Sequence, residues 1–223
     1  MSWSDTQRKL NALGYQLAVD NDAGPLTYSA IFAYMGARSY APTLGKSAAE
    51  HFPAYRIETP LRVAHWMAQF AHESRGFTTF EEDLRYTAGR LCTVWPTRFR
   101  SLAAAQPFAN NPEALANKVY GGRMGNDQPG DGWLFRGRGP QLTGRDNYAA
   151  CASRTGLPLV ENPDLAAKPE NFVHIACDFW AQNCCNALAD NDDIRAITVV
   201  INGGLTGLAE RTALLTRAKA VLA

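Results

Sequence analysis

Apolar positions along this chain recur mostly at three- and four-residue spacings, the signature of helices packed on one face. Asp5 or Thr6 can cap a first helix carrying Leu10, Leu13 and Leu17, which Gly14 stops early. The run Asp20-Asn21-Asp22-Ala23-Gly24-Pro25 is turn chemistry, after which Leu26, Ala30, Ile31 and Tyr34 resume the helical period. Pro42 through Ser47 reads as a linker. Thr59-Pro60 is a strong start signal, with threonine as cap and proline in the first helical position, and Val63, Trp66, Met67 and Phe70 follow on one face. Pro112 opens a helix through Leu115 and Val119, Pro169 one through Phe172, Ile175, Ala176 and Phe179. Asp192 or Asp193 caps another through Ile194, Ile197 and Val200, and Glu210 to Leu222 closes the chain as an amphipathic helix. Strand signals are confined to a short hairpin near 80–87, and residues 121–147 are too rich in glycine and polar groups for a regular element. The pattern predicts a mainly α protein with a small helical N-terminal segment.

Composition narrows the function. Of 223 residues, 46% are hydrophobic and 19% charged, enough for a real core and too few charges for a disordered chain. Lys and Arg total 22 against 21 acidic residues, so the net charge of +1 disfavours nucleic acid as a partner. No stretch approaches the roughly 18 apolar residues of a membrane span. Met1-Ser2-Trp3-Ser4-Asp5 has neither a basic start nor an apolar run, so no secretory signal is expected. Five cysteines without a CxxC pair suggest free thiols in a reducing compartment rather than disulfides or a zinc ribbon.

The carboxylates carry the chemistry. Glu73 lies three residues after Phe70 and seven after Trp66, on the apolar face of its helix, and Gly76 ends that helix. Helix-end carbonyls and apolar neighbours both disfavour its anion, which raises the pKa as a general acid requires. A core glutamate satisfied by hydrogen bonds fits the same pattern. If residues 80–86 are extended, Phe80, Glu82, Leu84 and Tyr86 point one way and Glu81, Asp83 and Arg85 the other, turning Glu82 inward. Paired carboxylates are the working parts of glycoside hydrolysis, although an acidic surface loop reads the same way. His72-Glu73 is not a zinc motif, because Gly76 stands where a second histidine would be needed. No metal and no cofactor are expected.

Residues 120–148 supply a second signal. Their glycines allow close backbone approach to a ligand. Trp133, Phe135 and Tyr148 offer faces for sugar stacking, and Gln141, Thr143 and Asn147 offer hydrogen bonds to hydroxyl and acetamide groups. Three segments in order, AHESRGFTTFEEDLRY (71–86), YGGRMGNDQPGDGWLFRGRGPQLTGRDNY (120–148) and VINGGLTGLAERTALLTRAKAVL (200–222), resemble glycoside hydrolase family 19, which contains plant-type chitinases and bacteriophage endolysins. The short interval from Glu73 to Glu82 and the RMGN stretch resemble the endolysin branch. Separately, QRKLNALGY (7–15) and the following Asp20 to Ile31 resemble a small peptidoglycan-binding helical module, against which stands a hairpin docked on the main domain.

The resemblance implies a lysozyme-like helical glycosidase domain over 48–223, a possible truncated wall-binding module over 1–42, and an inverting mechanism. It implies Glu73 as general acid, Glu82 as general base and Thr143 as the hydroxyl that holds the water. It implies substrate binding by Gln141, Asn147 and Asn202, and places Arg211 beside the acid. Pro140 is followed directly by Gln141, where the family has one residue between. The expectation is therefore a monomeric endolysin that cleaves β-1,4 bonds of peptidoglycan after release from the host cytoplasm. A chitinase and a non-catalytic wall-binding protein are the alternatives.

Overall fold

The computed structural model describes residues 2–140 and 142–222. Its α-helices run, in chain order, α1 (Trp3–Ala12), α2 (Pro25–Met35), α3 (Ala41–Ala54), α4 (Pro60–Glu73), α5 (Ala88–Val94), α6 (Leu102–Ala105), α7 (Pro112–Tyr120), α8 (Asp131–Leu134), α9 (Arg145–Thr155), α10 (Pro169–Gln182), α11 (Cys185–Asp190), α12 (Ile194–Asn202) and α13 (Leu208–Leu222). Among the described residues there is no regular strand. The expected hairpin near 80–87 reduces to isolated bridges pairing Glu81 with Arg138 and Arg138 with Leu142.

Local signals placed most helix starts. The Thr59 hydroxyl accepts from the Arg62 amide, Asn111 from that of Ala114, and Asp193 rather than Asp192 caps α12. For α1 the cap is Ser2, not Asp5 or Thr6: Ser2 and Asp5 form a reciprocal capping box, and Thr6 is buried. Pro42 through Ser47 is not a linker but lies inside α3. Leu44, Ala48 and Phe52, four residues apart, are each fully buried, and Pro42 falls in the first turn, where no amide donor is needed. Gly45 admits α2 at close range: a Cβ there would lie 2.4 Å from the Ser29 backbone nitrogen.

The chain divides into two compact units, Met1–Phe80 with Ala167–Ala223, and Glu81–Ala166. The first is built around α4. Trp66 is fully buried, with ring centroids 5.0 Å from Phe52, 4.7 Å from Phe70 and 6.0 Å from Phe32. The same apolar cluster contains Leu10, Tyr28 and Ile31 from the first two helices and Leu215 and Leu222 from α13. The second unit has a smaller core of Leu84, Leu91, Phe99, Leu115 and Val119.

The first unit also buries histidines. His51 and His174 stack at 3.9 Å between ring centroids, and His65, enclosed, bonds Asp192 at 2.7 Å, itself held by Lys219 at 2.5 Å. Burial pushes all three imidazoles below the ordinary 6.5, against the opposing pull of Asp192 on His65, of Glu50 on His51, and of Glu50 and Asp178 on His174. A histidine whose folded pKa is depressed takes up its proton first in the unfolded chain. The stability it contributes is complete above 6.5 and is lost as pH falls below that value. The melting temperature is therefore expected to fall as pH drops below 6.5, and to fall less in His174→Gln. A flat profile in thermal melts would contradict this account.

Candidate active site

Glu73 is the last residue of α4, one turn beyond Phe70. The chain leaves through Ser74 into three successive left-handed residues, Arg75, Gly76 and Phe77. Ser74 holds this turn: its hydroxyl donates to the Phe70 carbonyl and accepts from the Phe77 amide at 3.0 Å, and its carbonyl accepts from Thr78 and Thr79. Phe77 is fully buried, its ring edge-on to Phe32 at 4.8 Å, so core packing sustains the unfavourable backbone angle.

Sequence reading surrounded Glu73 with carbonyls and apolar side chains; the structure adds a cation. The Arg211 guanidinium, 1% exposed, donates to the Glu73 carboxyl, whose side chain is 17% exposed. The other Arg211 amino group donates to Gln69 Oε1 at 2.6 Å, and Gln69 donates to Thr198 at 3.2 Å. One buried polar chain thus ties α4, α13 and α12 together at the carboxylate. Arg211 thus lies beside Glu73, where the resemblance placed it, and its burial leaves it no open face for a ligand. Asn202 is exposed at the end of α12.

Glu82 belongs to the second unit. The expected alternation holds there, with Glu81, Asp83 and Arg85 exposed, Leu84 buried, and Glu82 and Tyr86 half-buried. Its backbone amide donates to the Gly137 carbonyl at 3.0 Å, and the Gly137 amide donates back to Oε1 at 2.6 Å. The Tyr120 hydroxyl donates to Oε2 at 2.7 Å. A Cβ on Gly137 would lie 3.0 Å from Glu82 Oε1, a tight contact, and 3.4 Å from Thr143 Oγ1, so both side chains lie close to the Gly137 backbone. Burial raises the Glu82 pKa above the ordinary carboxylate value, against the pull of the Tyr120 and Gly137 donors and of Arg136 and Arg138. A cavity of about 260 Å³ opens here, lined by Glu81, Glu82, Leu84, Pro112, Trp133 and Arg136 among others.

The remaining predicted residues divide. Asn147 is exposed on α9, its amide donating to the Thr143 carbonyl at 2.7 Å. Trp133 lines the cavity, but one face of its ring carries the Arg136 guanidinium at 3.6 Å. Tyr148 offers no stacking face to a sugar: it is fully buried, edge-on to Phe135, and its hydroxyl donates to the Arg136 carbonyl at 2.8 Å. Phe135 is likewise 1% exposed. Both rings pack against each other inside the 120–148 segment. Gln141 lies outside the described residues. Sequence reasoning missed Tyr120, Gln69 and Arg136. Tyr120 opens the second recognisable motif, yet nothing in its spacing from Glu82 points to contact.

The comparisons place this helical chain among the glycoside hydrolases. No family model matches it. It is 38% identical over 154 residues to a glycosyl hydrolase family 19 domain-containing protein of Haemophilus influenzae, covering 68% of this chain and 75% of that protein. It is 34% identical over 161 residues to an endochitinase of Arabidopsis thaliana and 31% identical to a second one, covering 71% of this chain and 45% of each plant protein. The chain belongs to glycosyl hydrolase family 19.

Proposed function

We propose that this glycoside hydrolase cleaves the β-1,4 bonds between amino sugars of peptidoglycan, in the manner of a phage endolysin, by inversion. Glu73 donates a proton to the glycosidic oxygen. Glu82 takes one from the attacking water, with Thr143 holding that water. Inversion needs the two carboxyls to flank the scissile bond with roughly 6.5–9.5 Å between them, which leaves room for the water. The observation that carries the reading is the Glu82 carboxyl, fixed by two donors on the wall of a cavity, with the Thr143 hydroxyl also close to the Gly137 backbone. Burial brings its pKa nearer neutrality, where a general base is most effective.

A second reading, chitin hydrolysis, is favoured by the plant relatives named endochitinases. Mass spectrometry of products from purified peptidoglycan and from N-acetylglucosamine oligomers decides. Peptidoglycan fragments with intact reducing ends are expected. Cleavage of the oligomers alone would replace the first reading with the second, and anhydro-muramic ends would replace hydrolysis with transglycosylation. The N-terminal helices contribute wall adsorption on this reading.

A further inference from the structure

The second unit gives Glu82 a partner that neither the motifs nor the comparisons assign. Tyr120 ends α7, and its backbone is locked from two sides. Arg98 donates to the Val119 carbonyl at 2.9 Å, and the buried Asn126 donates to the Tyr120 carbonyl at 3.1 Å. Asn126 is itself fixed, its side-chain oxygen accepting from the Arg145 amide at 2.8 Å. The phenol therefore projects from a rigid point onto Glu82 Oε2 at 2.7 Å. With the Gly137 amide on Oε1, each carboxylate oxygen has one lone pair engaged and one left for a proton.

We propose that Tyr120 is a positioning residue for the proton-accepting step, holding the Glu82 carboxyl in one orientation and favouring its ionised form. The proposal rests on the reading of Glu82 as the general base. A carboxylate taken out of water is a worse anion, and a donor that cannot rotate away restores part of what burial removes. The phenol stays a donor throughout the working range, because burial and the adjacent Glu82 charge push its own ionisation far up. The other charged groups facing this pair are Arg136 and Arg138 at the carboxyl and Arg123 at the phenol, with Tyr86 also facing the phenol. None of them duplicates the Tyr120 hydrogen bond to Oε2.

The test is Tyr120→Phe, which deletes one oxygen and keeps the ring. At neutral pH kcat should fall about tenfold or more, the worth of one hydrogen bond to a charged group, with KM little changed. The acidic limb of the pH profile should move to higher pH, so that raising the pH restores much of the rate. A merely structural tyrosine would lower the melting temperature without moving that limb. Site-specific 3-fluorotyrosine at position 120 keeps the hydroxyl and makes it a stronger donor. It should move the limb to lower pH, and it serves if the phenylalanine variant does not fold. Unmoved limbs in both proteins overturn the proposal. Glu82→Gln is assayed alongside on the same peptidoglycan fragments. Substantial activity in that variant would sink the reading of Glu82 as base and the proposal with it. An inactive Glu82→Gln beside an unshifted Tyr120→Phe sinks the proposal alone.

Discussion

Glu82→Gln should lose two to four orders of magnitude in cleavage rate, on the order of what one general base contributes, while its melting temperature at pH 7 stays level or rises. The stability half follows from the sign of the pKa shift. A carboxyl whose folded pKa is raised is costly to keep ionised above its unfolded value of 4.5, so a neutral amide removes that cost. Glutamine also fits the donors. Its oxygen can accept from the Gly137 amide, and its NH2 can donate to the Tyr120 oxygen once that hydroxyl rotates. Glu81→Gln should leave the cleavage rate nearly unchanged, because the Glu81 side chain is 49% exposed and pairs with Arg136 and Arg138 rather than with the Glu82 carboxyl.

Glu73→Gln should lose activity as deeply, with a different stability signature. Removing the charge leaves the Arg211 guanidinium buried beside a neutral group. Loss of one partner of a buried pair costs about 3–5 kcal/mol when nothing replaces it, and less when an amide oxygen still accepts. Glu73→Gln should therefore melt below the parent and Glu73→Ala lower still. Near-parental cleavage by a folded Glu73→Gln protein would falsify its role as acid.

Deleting residues 1–42 should abolish cooperative melting. The deletion strips Leu10, Tyr28, Ile31, Phe32 and Met35 from the apolar cluster that contains Trp66, all of them 2% exposed or less. At about 1.5–3 kcal/mol for each large apolar side chain, the loss approaches or exceeds the 5–15 kcal/mol that holds a typical domain together. An unchanged melting temperature with weaker wall adsorption would instead show an independent module. Adsorption is separable from folding in the intact chain with Leu26→Ser, since Leu26 is 74% exposed on α2. Weaker binding to purified wall at an unaltered melting temperature is the expected result.

The sequence by itself determined what depends on near neighbours. Thr59-Pro60, Pro112 and Pro169 set helix starts because caps and proline act within one turn. The two-residue alternation from Glu81 to Tyr86 separated Glu82 from Glu81 because extended backbone turns successive side chains to opposite sides. Tertiary structure decided everything that needs a distant partner. Helix α3 exists because Leu44, Ala48 and Phe52 find a core to enter, which outweighs the linker-like proline and glycine around them. Tyr148 and Phe135 carry the composition of a sugar platform, yet they pack against each other inside the loop. Arg211 reaches Glu73 across 138 positions and Tyr120 reaches Glu82 across 38. Local pattern fixes which way a side chain leaves the backbone, whereas desolvation and pairing depend on what the rest of the chain brings to it.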